Sequence, residues 1–109
     1  LVRLKLHAPY KPQIGKLRAY LKQRLGFALG RFGALVGPVT VWLQDLDGPR
    51  CKRRCFVRIK LTLGIDVVVE ADASKMREAI DSAVERSGRA VGRALSPAKK
   101  QSTPKGMPG

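Results

Sequence analysis

The chain has 109 residues, 44% of them hydrophobic, which can build one compact core but not two. Twenty-two Lys and Arg against eight Asp and Glu give a formal net charge of +14, far more than solubility needs, so a polyanionic partner is the first expectation. The composition also argues against a membrane span and a disulfide scaffold: the longest apolar candidate, Phe27 to Leu43, is broken by Arg31, Pro38 and three glycines, and there are only two cysteines.

The charge is unevenly spread. Residues 1–44 carry eight Lys and Arg and no acid, whereas all eight acids lie between Asp45 and Glu85. The start of the chain carries no secretory leader pattern, so a cytoplasmic protein is expected.

In chain order, Val2 to His7 alternates apolar Val2, Leu4 and Leu6 with Arg3, Lys5 and His7, the period of a half-buried strand. From about Gln13, Ile14, Leu17, Leu21, Leu25, Ala28, Leu29 and Phe32 recur at the spacing of one helix face, and Gly30, Gly33 and the Gly37-Pro38 pair end it. "VTVWLQDL" (39–46) predicts a second strand, and Cys55 to Thr62 a third, with Cys55, Val57, Ile59 and Leu61 on one side. A turn near Gly64 leads into a fourth strand, "DVVVEA" (66–71). Asp72 or Ser74 is expected to cap a second helix, on which Met76, Ala79, Ile80, Ala83, Val84, Ser87, Ala90, Val91, Ala94 and Leu95 share one arc until Pro97. Residues 97–109, rich in Pro, Gly and Lys, hold too few apolar side chains to fold.

The order is β-α-β-β-β-α, without internal repeat. Two amphipathic helices need one apolar surface, so an α+β fold is expected, with both helices on one face of a four-stranded, mostly antiparallel sheet. The expected organisation is a folded domain over 1–96 and a disordered basic tail over 97–109.

At 100° per residue the helices present basic flanks. On the first, Lys16, Tyr20, Gln23, Arg24, Phe27 and Arg31 fall beside the apolar stripe; on the second, Lys75, Ser82, Arg86, Arg89 and Arg93 do. Helices packed side by side would merge these flanks into one groove for RNA phosphates, whose neutralisation releases counterions. The opposite sheet face would carry Arg3, Lys5, Trp42, Phe56, Arg58 and Lys60. Such a face can stack unpaired bases, but cross-strand pairing of Trp42 with Phe56 or Val68 is its expected role.

Other chemistry is thinly represented. Asp45, Asp47, Glu70 and Asp72 are the carboxylates on which a Mg²⁺-dependent phosphodiesterase would draw, yet turn bonding and helix capping account for them. His7, the single histidine, has no nucleophile beside it in sequence and is expected to be solvated at a strand end. No phosphate-binding glycine loop occurs. In "CKRRC", Cys51 and Cys55 on an extended chain lie roughly 13 Å apart, too far for a disulfide, and two thiolates do not complete a zinc site. Cys55 is expected in the core, and Lys52, Arg53 and Arg54 at the sheet edge as a further contact to RNA. No metal, cofactor or small-molecule substrate is expected.

Four strings, "LGFALGRFG" (25–33), "VTVWLQDLDGPRCKRRCFVRIKL" (39–61), "VVVEA" (67–71) and "MREAIDSAVERSGRAVGRAL" (76–95), resemble the ribosome hibernation promoting factor family, which includes the ribosome-associated translation inhibitor. The resemblance covers nearly all of residues 1–96. It implies a domain laid out like double-stranded RNA binding domains, monomeric when free, that docks in the decoding region of the small ribosomal subunit, binds its ribosomal RNA and inhibits translation by idle ribosomes under stress. The family's RNA-contacting positions fall on Arg24, Arg31, Arg86, Arg89 and Arg93, which coincide with the helix flanks found from periodicity. The chain ends 14 residues after Leu95, like a short-form member, and lacks the Gly-rich insertion that many relatives carry after the "GP" of the loop. A generic RNA-binding module is the alternative reading, and a metal-dependent phosphodiesterase the remote one.

Overall fold

The structure is a computed structural model, and it describes residues 3–8, 14–46 and 52–96. Its elements are β1 (Leu4–His7), α1 (Ile14–Leu29), a 3₁₀ helix (Gly30–Leu35), β2 (Val36–Asp45), β3 (Arg53–Leu61), β4 (Asp66–Ala73) and α2 (Met76–Ala94). The sheet runs in the order β1-β2-β3-β4. β1 lies parallel to β2, which requires the crossover that α1 supplies, and β2, β3 and β4 form an antiparallel meander. The expected α+β fold with a mostly antiparallel sheet is the observed one. Residues 9–13, Asp47, Cys51 and the 97–109 tail, including Pro97, lie outside the described residues.

Strand parity sorts the side chains. Val39, Val41, Leu43, Cys55, Val57, Ile59, Leu61, Val67 and Ala71 are buried on one face and form a single core with Leu17, Leu21, Leu25 and Leu29 of α1 and Met76, Ala79, Ile80, Ala83, Val84 and Val91 of α2. Each fully buried Leu, Ile or Val contributes roughly 1.5–3 kcal/mol of transfer free energy. The four leucines of α1 recur every four residues, so one narrow seam meets the core. The buried hydroxyl of Ser87 donates to the carbonyl of Ala83 at 2.8 Å and is thereby satisfied. Small residues on α2 let the helices approach: a Cβ at Gly88 would lie 3.4 Å from the carbonyl oxygen of Ala28.

Two details correct the sequence reading. β2 begins at Val36, not Val39, because Val36 pairs with Leu61 and a bulge between Val36 and Val39 absorbs Gly37 and Pro38. Pro38 has no N–H for the ladder, and a Cβ at Gly37 would stand 2.9 Å from the Lys60 carbonyl, which explains why the irregularity sits there. Neither Asp72 nor Ser74 caps α2. β4 continues to Ala73, the Asp72 carboxylate is bound to Arg54, and Lys75 occupies the N-cap without a side-chain hydrogen bond.

Candidate nucleic-acid interface

The packing of α2 across β3 and β4, with α1 on its other side, determines where each cation goes. Arg86, Arg89 and Arg93 stand at i, i+3 and i+7, on the flank of α2 turned away from α1. They line a groove completed by Val68, Val69, Glu70 and Ala90. One Arg86 amine donates to the main-chain carbonyl of Glu70 at 2.8 Å. β4 is an edge strand, so this bond occupies an acceptor that a neighbouring strand would otherwise use. It also fixes the guanidinium without neutralising it, since a carbonyl carries no net charge. Arg89 meets Glu85 at 3.2 Å, but their side chains are 65% and 70% exposed and such a pair is weak in water. Arg93 has no carboxylate partner among the described residues, and it lies in the last turn of α2, where the helix dipole favours a cation.

Between the helices the chemistry differs. The Tyr20 hydroxyl donates a short hydrogen bond to Asp81, and Arg24 pairs with the same carboxylate at 3.4 Å. Asp81, by accepting that hydrogen bond, raises the Tyr20 phenol above its ordinary range, and desolvation adds to the effect. Arg77 lies 4.5 Å over the Tyr20 ring. Arg24 therefore shares a depression with Glu78, Asp81, Ser82 and Glu85, three of them acidic. Further along α1, Arg31 stacks 4.7 Å over Phe32 and reaches Gly92 of α2. Lys16 is exposed at the start of α1, and Phe27 is 78% exposed.

The expected single groove is thus not what forms. Arg86 and Arg93 point over the β4 edge, while Arg24 faces α2 across Asp81; Ser82, placed by periodicity with the arginines of α2, sides with Arg24. Helical angles show that a residue lies on a flank but not which neighbour the flank faces. That depends on the side of α2 chosen by α1, which follows from the Ala28 and Gly88 contact.

The CKRRC cations also need correction. Arg53 and Arg54 belong to β3, a central strand rather than a sheet edge, and carboxylates hold them. Arg53 pairs with Asp45 at 3.0 Å. Arg54 grips Asp72 through two bonds of 2.8 and 3.1 Å and lies 3.3 Å from Glu70. Those bonds hold the Asp72 carboxyl below the ordinary carboxylate range. Of the three, only Lys52 is exposed and outside an ion pair among the described residues, though its charge also helps to lower the Asp72 carboxyl. Cys55 is fully buried and burial pushes its thiol up to about 12, as befits a core residue. The carboxylates weighed for a metal, Asp45, Glu70 and Asp72, are each within 3.3 Å of an arginine.

On the open face, Trp42 packs edge-on against Phe56 with centroids 5.2 Å apart, the expected cross-strand pair. His7 is exposed at the end of β1, as expected, and it also stacks on Trp42 at 5.4 Å with the rings 14° from parallel. The parallel register of β1 on β2, invisible in either strand's own sequence, creates this contact.

The fold and the cationic flank together define a two-layer α+β domain with an exposed row of arginines on its second helix. The same fold occurs in the N-terminal domain of Protein Y from Thermus thermophilus, with a TM-score of 0.72 and 23% identity over 86% of this chain and 99% of that one. It occurs also in a ribosomal subunit interface protein from Coxiella burnetii, with a TM-score of 0.68 and 11% identity over 88% of this chain and 100% of that one. The resemblance drawn from the sequence strings is met here at the level of the fold. Compared by sequence, the chain matches no family model and no curated protein.

Proposed function

We propose that this chain is a non-enzymatic ribosome-associated factor that binds the small subunit through ribosomal RNA in the decoding region and keeps idle ribosomes from translating. The observation that carries the reading is the row of Arg86, Arg89 and Arg93, charged and not buried in internal ion pairs, on a fold shared with a ribosomal subunit interface protein. Three arginines on one flank, offset by only one exposed ion pair, leave a local excess of positive charge that phosphates can neutralise. We assign the binding unit to residues 1–96, as a monomer acting in the cytoplasm, with the 97–109 tail as an added source of charge.

Co-sedimentation with purified small subunits tests this reading. The expected result is stoichiometric binding that excess unrelated duplex RNA at matched salt does not displace. Equal affinity for that duplex would make the chain a generic RNA-binding module instead. Mg²⁺-dependent cleavage of RNA by the purified protein would contradict the non-enzymatic reading.

A further inference from the structure

The open sheet face carries an arrangement that the arginine flank does not use. His7, Trp42 and Phe56 form a continuous aromatic row across three strands: His7 stacks on Trp42, and Trp42 meets the Phe56 ring edge-on. The row ends at β1, an edge strand, so no strand lies beyond His7, and its imidazole is exposed. One imidazole face is taken by the indole; the other is where a further planar ring continues the stack.

Beside the aromatic row runs a polar one, Lys5, Thr40 and Arg58, in register across the same strands. The two rows are two residues apart along each strand, or about 6.6 Å. Arg58 is paired with Asp66 at 3.3 Å. Arg3, Lys5 and Lys60 are exposed and have no carboxylate partner among the described residues. Lys60 and Arg58 border a shallow depression with Pro38 and Thr40. Lys5, two residues before His7 on β1, is the cation beside the open end of the stack, with Arg3 two residues further along the same strand; Lys60 lies two strands away, opposite Asp66.

We infer that this face is a second nucleic-acid site, which takes an unpaired RNA segment by stacking a base on His7 and placing its phosphates over Lys5 and Arg3. A π-face with flanking cations is what single-strand recognition requires, and it tolerates any base because every base has a π-face. A rigid duplex, whose bases are already stacked on one another, has no free ring to offer. The inference goes beyond the ribosomal reading and does not depend on it, since the phosphate contacts assigned to α2 lie on another part of the molecule.

Trp42 is the single tryptophan of the chain, so its fluorescence reports on this face alone. Titration of the full chain with a ten-residue oligouridylate is expected to change Trp42 emission, and the same RNA annealed to its complement is expected to do so far less. By anisotropy of the labelled oligonucleotide, His7→Ala should lower affinity about tenfold, whereas His7→Phe, which keeps a stacking ring, should retain it. His7 is exposed, and unchanged circular dichroism of both variants separates lost stacking from misfolding. The triple variant Arg86→Gln, Arg89→Gln, Arg93→Gln should leave the oligouridylate-induced emission change in place. The inference is overturned if oligouridylate leaves Trp42 unaffected, or if His7→Ala binds as well as the parent. It is also overturned if protein extracted from small subunits alters Trp42 emission while oligouridylate does not, which would make the face a protein contact.

Discussion

Replacing Arg86, Arg89 and Arg93 together by Gln should change how binding to small subunits responds to salt. Each phosphate neutralised contributes about 0.9 to the slope of log K against log salt on a duplex. Three contacts therefore contribute about 2.7, equivalent to about a 40-fold loss of affinity between 50 and 200 mM salt. The triple variant should bind more weakly at low salt and show a slope shallower by about 2 to 3, with each single variant shallower by about 1. Arg54→Gln with Asp72→Asn is the matched control. It removes a cation and the carboxylate that holds it at 2.8 Å, so net charge is unchanged and the slope should stay put. Anisotropy of the labelled protein against small subunits at four or five salt concentrations gives the slopes. If the triple variant keeps the parental slope, or if the Arg54 and Asp72 control loses as much, the assignment of phosphate contacts to α2 is wrong.

Further predictions concern the scaffold. Leu25 is fully buried in the seam between α1 and the sheet, and Leu25→Ala should cost about 3–5 kcal/mol in urea unfolding; a loss under about 1 kcal/mol would contradict the packing described. Asp72 has its carboxyl held down by Arg54, so it adds stability at pH values above about 3.9, the unfolded value, and that stability disappears as pH falls through the depressed native value. Arg54→Gln should bring the Asp72 titration, followed by carboxyl NMR, back toward the ordinary range and flatten the acid limb of the stability curve. In a Cys51→Ser background, Cys55, its thiol pushed up to about 12 by burial, should resist alkylation at neutral pH until denaturant is added, and rapid native labelling would place it outside the core.

The elements and the core were legible in the sequence because each rests on local periodicity. Val39, Val41 and Leu43 alternate, Leu17, Leu21, Leu25 and Leu29 recur every four residues, and both patterns report burial whatever the neighbours are. Partnership was less legible. Nothing in the order of residues reveals that Arg54 will find Asp72, because their meeting depends on the β3 to β4 register. The same holds for His7 on Trp42, set by the β1 to β2 register, and for the arginines of α2, whose outlook depends on which side of that helix α1 takes. Asp72 shows the conflict directly: its position suits a cap, but the longer strand and a cation on the adjacent strand claim it first.

A density map of the protein bound to small ribosomal subunits tests the central claim most directly. The account predicts the α2 flank against the subunit, with the guanidinium groups of Arg86, Arg89 and Arg93 within hydrogen-bond distance of ribosomal RNA phosphates in the decoding region. A map in which that flank faces solvent while the chain docks elsewhere, or in which no density for the chain appears at saturating protein, would contradict it.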